Sequence, residues 1–471
     1  MNDPKLREKF GPGKMSDDMH CYDIFPKVFI ENEPARVTIK PLGWHAAFEQ
    51  GHEYTVFVQP RNDRDYETVS NTRTESLITT LHLTPDPDGC IRFDFTFTGE
   101  QPWYVYFDEL VGKKQPKIRL SVYSLHADMK GRYPFRGDLH LHSNRSDGRE
   151  DPAIVAANFR KGGYDFLAIT DHHRYYGSLE SIEAYKDVNI DLNLCPGEEC
   201  HLPDNMVHVV NFGGLWSVAS QVESCQNNID FGTDPSVRSF TGETRPIMTD
   251  DEFRAEVMKL ADELDIPEGV DRYTYAACIW EFRKIREADG LAIFCHPYWI
   301  RSNALNVPEN LTDALFASGE FDAFELLGGE TYLEQNEYQV YKYMQARARG
   351  LDFPVVGVSD GHGTTNNPGW NVGATVVFAP ENERKSLIES IKDKYTVCID
   401  NISREPRLAG DFRFVQFGRF LLEYYFPLHD ELCFEEGRLM KDYRCGDEKA
   451  GELLNLLHGR VEALQKKYFA Y

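Results

Sequence analysis

The chain lacks several features that would settle its class at once. No stretch of its 471 residues approaches the ~20 apolar residues of a membrane-crossing helix. The opening residues, Met-Asn-Asp-Pro-Lys-Leu-Arg-Glu-Lys-Phe, hold no apolar segment of signal-peptide length. The ten cysteines are scattered, with no Cys-X-X-Cys; the nearest pair, Cys195 and Cys200, flanks Gly197-Glu198-Glu199. They read as reduced thiols, not as a disulfide frame. Positive charge is scarce: 51 Lys and Arg stand against 76 Asp and Glu, a net charge of −25. That argues against general nucleic-acid binding, which needs a basic footprint. It does not exclude a phosphorylated substrate, because bound cations invert the local field. There is no Walker-type phosphate loop and no dinucleotide fingerprint; Gly213-Gly214 and Gly328-Gly329 are no more than turns. Internal repeats and low-complexity tracts are absent too. The expectation is a soluble, cytoplasmic protein.

What is present suffices for a packed core: 41% of residues are hydrophobic and 13% aromatic, in a length that suggests two or three domains. Residues 1–20 read as a flexible tail. Over 21–132 the period is two: Ile91, Phe93, Phe95 and Phe97 alternate with Arg92, Asp94, Thr96 and Thr98, and Trp103, Val105 and Phe107 repeat the pattern. Turns such as Pro85-Asp-Pro-Asp-Gly89 separate these runs, so the segment predicts an all-β, sandwich-like domain that binds a ligand or serves as a packing module. Beyond Lys130-Gly-Arg-Tyr-Pro134 the pattern becomes strand–helix alternation, the mark of βαβ units, over 133–405. Asp151-Pro152 caps a helix that ends at Gly162-Gly163. An insertion at about 215–277 breaks the alternation and reads as a lid or as a surface insert; it carries Trp216, Phe231, Phe240 and Tyr273. Residues 406–471 read as a mostly helical extension for packing or for forming a homodimer.

The chemistry-bearing residues sit at the ends of the β-like runs. In Phe135-Arg-Gly-Asp-Leu-His-Leu-His-Ser-Asn-Arg-Ser-Asp147, the polar Asp138, His140 and His142 alternate with Gly137, Leu139 and Leu141, so all three face one side of a strand. Two imidazoles at i and i+2 can grip one ion. Thr170-Asp171-His172-His173, Gly197-Glu198-Glu199, His208, His296-Pro297 and Ser359-Asp360-Gly-His362 then follow further apolar runs. In α/β barrels, sites sit at the C-terminal ends of strands. Nine nitrogen and carboxylate ligands, His140, His142, Asp147, His172, Glu198, His208, His296, Asp360 and His362, are too many for one tetrahedral ion. Without thiolates they suit Zn²⁺, Mn²⁺ or Fe²⁺.

This ordered set resembles the polymerase-and-histidinol-phosphatase (PHP) family of metal-dependent phosphoesterases over roughly 133–405. The motifs are Asp-Leu-His-Leu-His-Ser, Ser-Asp-Gly, Thr-Asp-His, Gly-Glu, an isolated His, His-Pro and Ser-Asp-Gly-His, in the family's order. The resemblance implies a distorted seven-stranded β/α barrel and three divalent metal ions. By motif position, His140, His142, Glu198 and Asp360 hold the first. A bridging Glu198, with His208 and His296, holds the second, and Asp147, His172 and His362 hold the third. Glu199 competes with Glu198 for the bridge. Asp138 and Asp171 are expected to orient ligand imidazoles. Arg174 and Arg301 are candidate phosphate contacts or surface charges, and His173 and His201 candidate general acids. Branches of the family often carry Asp at the position of His173. The function implied is hydrolysis of a small phosphomonoester, a nucleotide or a sugar or metabolite phosphate, with no long nucleic acid and no membrane as partner. The alternatives are a phosphodiesterase or exonuclease on short oligonucleotides, and a non-catalytic metal-binding scaffold.

Overall fold

The computed structural model describes residues 21–62, 77–107, 119–226, 238–243, 245–328, 333–364, 373–402 and 405–471. The expected tail 1–20, Phe231 and Gly329 lie outside them. The chain divides into two compact units: Met1–Gly131 with Gln416–Leu428 and Glu462–Tyr471, and Arg132–Val415 with His429–Val461. The C-terminal segment, expected to be a separate extension, is shared between the two. It is helical over Phe412–Tyr424, Phe426–Arg444, Glu448–Leu457 and Arg460–Tyr468. Among the described residues no helix is long and apolar enough to cross a membrane.

The first unit is built on β1 (Tyr22–Phe25), β2 (Val28–Ile30), β3 (Pro34–Pro41), β4 (Tyr54–Pro60), β5 (Thr79–Leu83), β6 (Ile91–Thr96), β7 (Gln101–Phe107) and β8 (Arg119–Leu125). These form a three-stranded sheet, β1-β3-β6, and a five-stranded sheet, β2-β8-β7-β4-β5. The period-two alternation explains the pairing: Val37, Ile39, Ile91 and Phe93 from one sheet share a buried core with Val56, Val58, Val105, Leu120 and Val122 from the other. The one polar end of Trp103 is satisfied, its Nε1 donating to Ser124 Oγ at 2.9 Å.

The second unit is mixed α/β. Its strands are β9 (Tyr133–Asp138), β10 (Phe166–Ala168), β11 (Asn193–Cys195), β12 (Gly197–Cys200), β13 (Val209–Phe212), β14 (Leu291–Phe294), β15 (Ile300–Arg301), β16 (Ala304–Leu305), β17 (Ala323–Leu327), β18 (Val355–Gly357), β19 (Gly373–Ala379), β20 (Thr396–Asp400) and β21 (Arg407–Gly410). They form a six-stranded sheet, β11-β10-β9-β19-β20-β21, a five-stranded sheet, β12-β13-β14-β17-β18, and a hairpin, β15-β16. The expected single barrel therefore takes the form of two sheets. Single bridges, Leu141 to Gly361 and His172 to Glu199, join their ends.

Local chemistry sets the helices. Asp151 accepts from Ala153 N at 3.1 Å, and Pro152 opens the helix Pro152–Lys161. In the described part of the 215–277 insertion, a Thr249–Glu252 capping box starts the helix Asp250–Glu263. Phe253, Val257 and Ala261 from that helix enter the same core as Ala276, Ile279, Phe282 and Ile285 of the helix Arg272–Glu287. Burying that apolar face holds both helices against the five-stranded sheet.

Candidate metal centre

The centre begins where β9 ends. Asp138 accepts from His140 N at 3.1 Å and from Ser359 N at 3.2 Å, tying the end of β9 to the segment that follows β18. Asp360 N donates to His140 O, and His142 N to Gly361 O, both at 2.9 Å. Leu139 and Leu141 are fully buried in the core, so the intervening His140 and His142 point the other way. Asp360 and His296 both have positive φ, 49° and 20°, a strained backbone of the kind that collects at functional sites.

Glu199 stands at the middle, fully buried on β12. Its Oε2 lies 2.8 Å from His172 Nδ1, 3.1 Å from His140 Nε2 and 3.3 Å from His142 Nε2. Its Oε1 lies 2.8 Å from His208 Nδ1, 3.3 Å from His296 Nε2 and 3.6 Å from His201 Nε2. Asp360 Oδ1 is 3.1 Å from His142 Nε2 and 3.4 Å from His140 Nε2. Asp147 Oδ2 is 3.3 Å from His362 Nε2 and 3.4 Å from His172 Nε2.

This donor set fits divalent cations. His140 Nε2, His172 Nδ1, His201 Nε2, His208 Nδ1 and Glu199 Oε2 are buried and make no directed hydrogen bond, although each has a close neighbour. Two atoms that each sit ~2.1 Å from one ion stand about 3–3.5 Å apart, which is the spacing seen here. The ligand atoms of His140, His142, Glu199 and Asp360 lie within 4.8 Å of one another, as do those of His142, Asp147, His172 and His362. The protonation tendencies say the same thing in electrostatic terms. Burial pushes the Glu199 carboxyl up, yet His172, His140 and His208 hold it well below the carboxylate range. Burial disfavours a charged His140, but Glu199 and Asp360 hold that imidazole well above its ordinary value; Glu199 and Asp147 outweigh burial at His172 and lift it to about 10. The buried carboxylates call for positive charge, and cations supply it while leaving the imidazoles neutral and able to ligate.

The structure brings eight of the nine expected ligands together and turns Glu198 away. Glu198 accepts from Ser217 Oγ and Val218 N, both at 2.6 Å, and from Asn211 Nδ2 at 3.2 Å. Neighbours on a strand face opposite sides, so Glu199 takes the central position and Glu198 anchors the start of the insertion. Asp138 and Asp171 are close by, Asp138 on the His140 backbone and Asp171 reaching His142 through Ser146, whose Oγ lies 3.4 Å from His142 Nδ1, rather than by a direct carboxylate-to-imidazole contact. Asp171 accepts from Ser143 N, Ser143 Oγ and Ser146 Oγ at 2.7, 2.6 and 2.7 Å. Glu325, missed in the sequence, makes that contact: fully buried on β17, its Oε2 lies 2.9 Å from His140 Nδ1. The available signal was a lone charge inside the apolar run Ala323-Phe-Glu-Leu-Leu327.

The remaining candidates ring the cluster. The His201 ring stacks on His208 at 3.7 Å, and the His173 ring lies 4.9 Å from His201. Burial, with His201 and His172 nearby, pushes His173 down to about 3; burial and His208 do the same to His201. Arg174, half-buried, follows His173, and its N donates to Asp171 O at 3.1 Å. Arg301 is exposed on the β15-β16 hairpin, 5.9 Å over Trp299, whose ring lies 5.8 Å from His208 and 5.9 Å from His296.

No family model matches the chain. A curated relative, the DNA polymerase/3'-5' exonuclease PolX of Bacillus subtilis, is 35% identical over 85 residues, which span 17% of this chain and only 15% of that protein. Among solved structures, a two-domain protein of Bacteroides vulgatus, containing a predicted PHP-like metal-dependent phosphoesterase, is 16% identical. The match covers 57% of this chain and 65% of that one, with a TM-score of 0.36. A Bifidobacterium adolescentis chain assigned as a metal-dependent phosphoesterase is 21% identical, covering 49% of this chain and 89% of that one, at 0.31. The chain resembles PHP-like metal-dependent phosphoesterases. An amidohydrolase of Chromobacterium violaceum, crystallised with sulfate and no metal, is 19% identical with the same coverages, at 0.29. At these TM-scores the PHP-like resemblance rests on the motifs, and the functional argument on the geometry of the centre.

Proposed function

We propose that this protein is a metal-dependent phosphoesterase that hydrolyses a small phosphomonoester at a trinuclear centre. The observation that carries the reading is Glu199, one buried carboxylate with three imidazole nitrogens gathered on each of its oxygens. His140, His142, Glu199 and Asp360 would hold one ion, Glu199, His208 and His296 a second, and Asp147, His172 and His362 a third. Bound divalent cations of the Zn²⁺, Mn²⁺ or Fe²⁺ class supply two things here: a lowered pKa for an attacking water, and charge stabilisation for the phosphoryl oxygens.

The chain's own residues arrange the rest. Glu325 accepts from His140 Nδ1–H and so turns the Nε2 lone pair towards Glu199. Asp138 fixes the backbone under that ring. Arg174 and Arg301 would contact phosphate oxygens; Arg301 lies beside Trp299, whose ring neighbours His208 and His296. His173, whose ring lies 4.9 Å from that of His201, would relay a proton at the edge of the cluster. The same reading includes a distorted barrel of β9, β10, β12, β13, β14, β17 and β18 with the ligands at one end; the single bridges Leu141 to Gly361 and His172 to Glu199 support it.

The test is phosphate release from a panel of nucleotides and sugar phosphates, with Mn²⁺ and Zn²⁺ supplied separately, set beside cleavage of a bis-aryl phosphodiester. Monoester turnover that disappears in Glu199→Gln supports the reading. Preferential diester cleavage transfers it to short oligonucleotides, a direction favoured by the exonuclease name of the Bacillus subtilis relative. A chain that purifies and reconstitutes without metal overturns it.

A further inference from the structure

We infer that His201 is itself a metal ligand, adding an imidazole to the ion held on the Oε1 side of Glu199. This rests on the centre proposed above. The sequence offers His201 only as a proton donor, one residue past the end of β12. In the structure its Nε2 is buried, has no hydrogen-bond partner and points at Glu199 Oε1 from 3.6 Å. The ligand atoms of His172, Glu199 and His201 all lie within 4.8 Å of one another. That is the relation the other ligands have to Glu199.

The ring is also held in place as a ligand must be. It stacks on His208 at 3.7 Å with 22° between the planes, and lies 4.5 Å from the His172 ring. The turn that carries it is braced from several elements. Cys225 Sγ donates to His201 O at 3.3 Å, Tyr273 OH to Pro203 O at 2.8 Å, and Asn306 Nδ2 to Met206 O at 3.0 Å. Arg254 Nε donates to Asp204 Oδ2 at 2.8 Å. A side chain meant to swing out and protonate a leaving group has no need of a turn fastened from the insertion and from the loop after the β15-β16 hairpin. With His201, the Oε1 ion has four protein donors, Glu199, His201, His208 and His296, a count characteristic of firmly held zinc-class ions.

The experiment compares the full chain with His201→Gln and His201→Asp after dialysis against a graded chelator series. Zn and Mn per chain are read by elemental mass spectrometry, and the visible spectrum is read after Co²⁺ loading. The expected result is that His201→Gln releases one ion at a chelator concentration at least ~10-fold lower than wild type, with an altered Co²⁺ spectrum and unchanged far-ultraviolet circular dichroism. His201→Asp, which returns a ligand atom, restores part of the retention. Release curves and Co²⁺ spectra that match wild type overturn the assignment. So does a loss in His201→Gln that the Asp variant does not recover, because that marks a structural role. If wild type holds metal and hydrolyses phosphomonoesters while His201→Gln is indistinguishable from it, this inference alone fails. If wild type holds no metal, the centre fails and this inference with it.

Discussion

Glu198 and Glu199 are chemically identical neighbours with opposite duties, and the difference is the parity of a strand. Glu199→Gln removes the shared charge from six imidazole nitrogens. Its expected outcome is loss of bound metal, read by elemental analysis, and of all hydrolysis. Glu198→Gln keeps the centre: metal content stays at the wild-type level, and the cost appears as a lower unfolding midpoint, because the carboxylate anchors Val218 N and Ser217. The reverse pattern would return the bridge to Glu198. Glu325→Gln is predicted to weaken metal retention ~10–100-fold in chelator competition without removing any ligand, since the amide no longer fixes the His140 tautomer with a full negative charge. The histidines that cluster around Glu199 were legible in the sequence because most lie at or near an end of an apolar run. Which of the two adjacent carboxylates faces the imidazoles was not, because that choice requires the register of β12, and a shift of one residue exchanges the faces. Glu325 stayed hidden because a carboxylate within a buried strand reads as part of the strand.

At the scale of elements, the fully buried Arg160 shows how the helical residues from His429 to Arg444 are fixed within the second unit. Its guanidinium donates to Glu436 Oε2 at 2.9 and 2.7 Å and to Asp165 Oδ1 at 2.9 Å, and His429 Nε2 meets that same Asp165 oxygen at 2.8 Å. Gly437 lets the helix come close: a Cβ there would stand 2.2 Å from Lys161 N. Asp165→Asn removes one charge from a dry network and is predicted to cost about 3 kcal/mol in urea unfolding. Burial pushes the Asp165 carboxyl up, but His429 and Arg160 outweigh it and hold it at about 2. A folded value below the unfolded ~3.9 contributes stability that is present above that pH and lost as pH falls towards 2. The gap between wild type and Asp165→Asn should therefore narrow across pH 4 to 2, and a constant gap would remove Asp165 from the acid response. The strand–helix alternation and the capped helix after Asp151 were legible from local patterns. The antiparallel β19-β20-β21 edge was not, nor was the packing of the Asp250–Glu263 helix into the core, because period alone does not name an element's partner.

At the scale of the whole molecule, sequence order and unit membership diverge. The boundary near residue 132 was legible, since the hydrophobic period changes there. The return of Glu462–Tyr471 to the first unit was not, because an amphipathic helix announces a buried face without saying against what. Within that unit, Phe469 bridges Val28, Lys27 N donates to Tyr468 O at 2.7 Å, and Ala470 N donates to Val28 O at 2.9 Å. Tyr468 OH and Lys467 Nζ meet the two oxygens of Asp23 at 2.9 and 2.5 Å. Tyr468 and Phe469 are only 2% and 3% exposed, so removing both forfeits about 5 kcal/mol of burial. Deleting residues 462–471 is therefore predicted to open the edge of the five-stranded sheet that begins with β2. Hydrogen exchange read by mass spectrometry should rise at least ~100-fold in β2 and β8, whose parallel pairing at Val28–Tyr123 and Ile30–Leu125 loses its support, while β12, β13 and β14 serve as the internal reference. Exchange in β2 and β8 that stays at the full-length rate would show that the first unit is complete without its C-terminal residues.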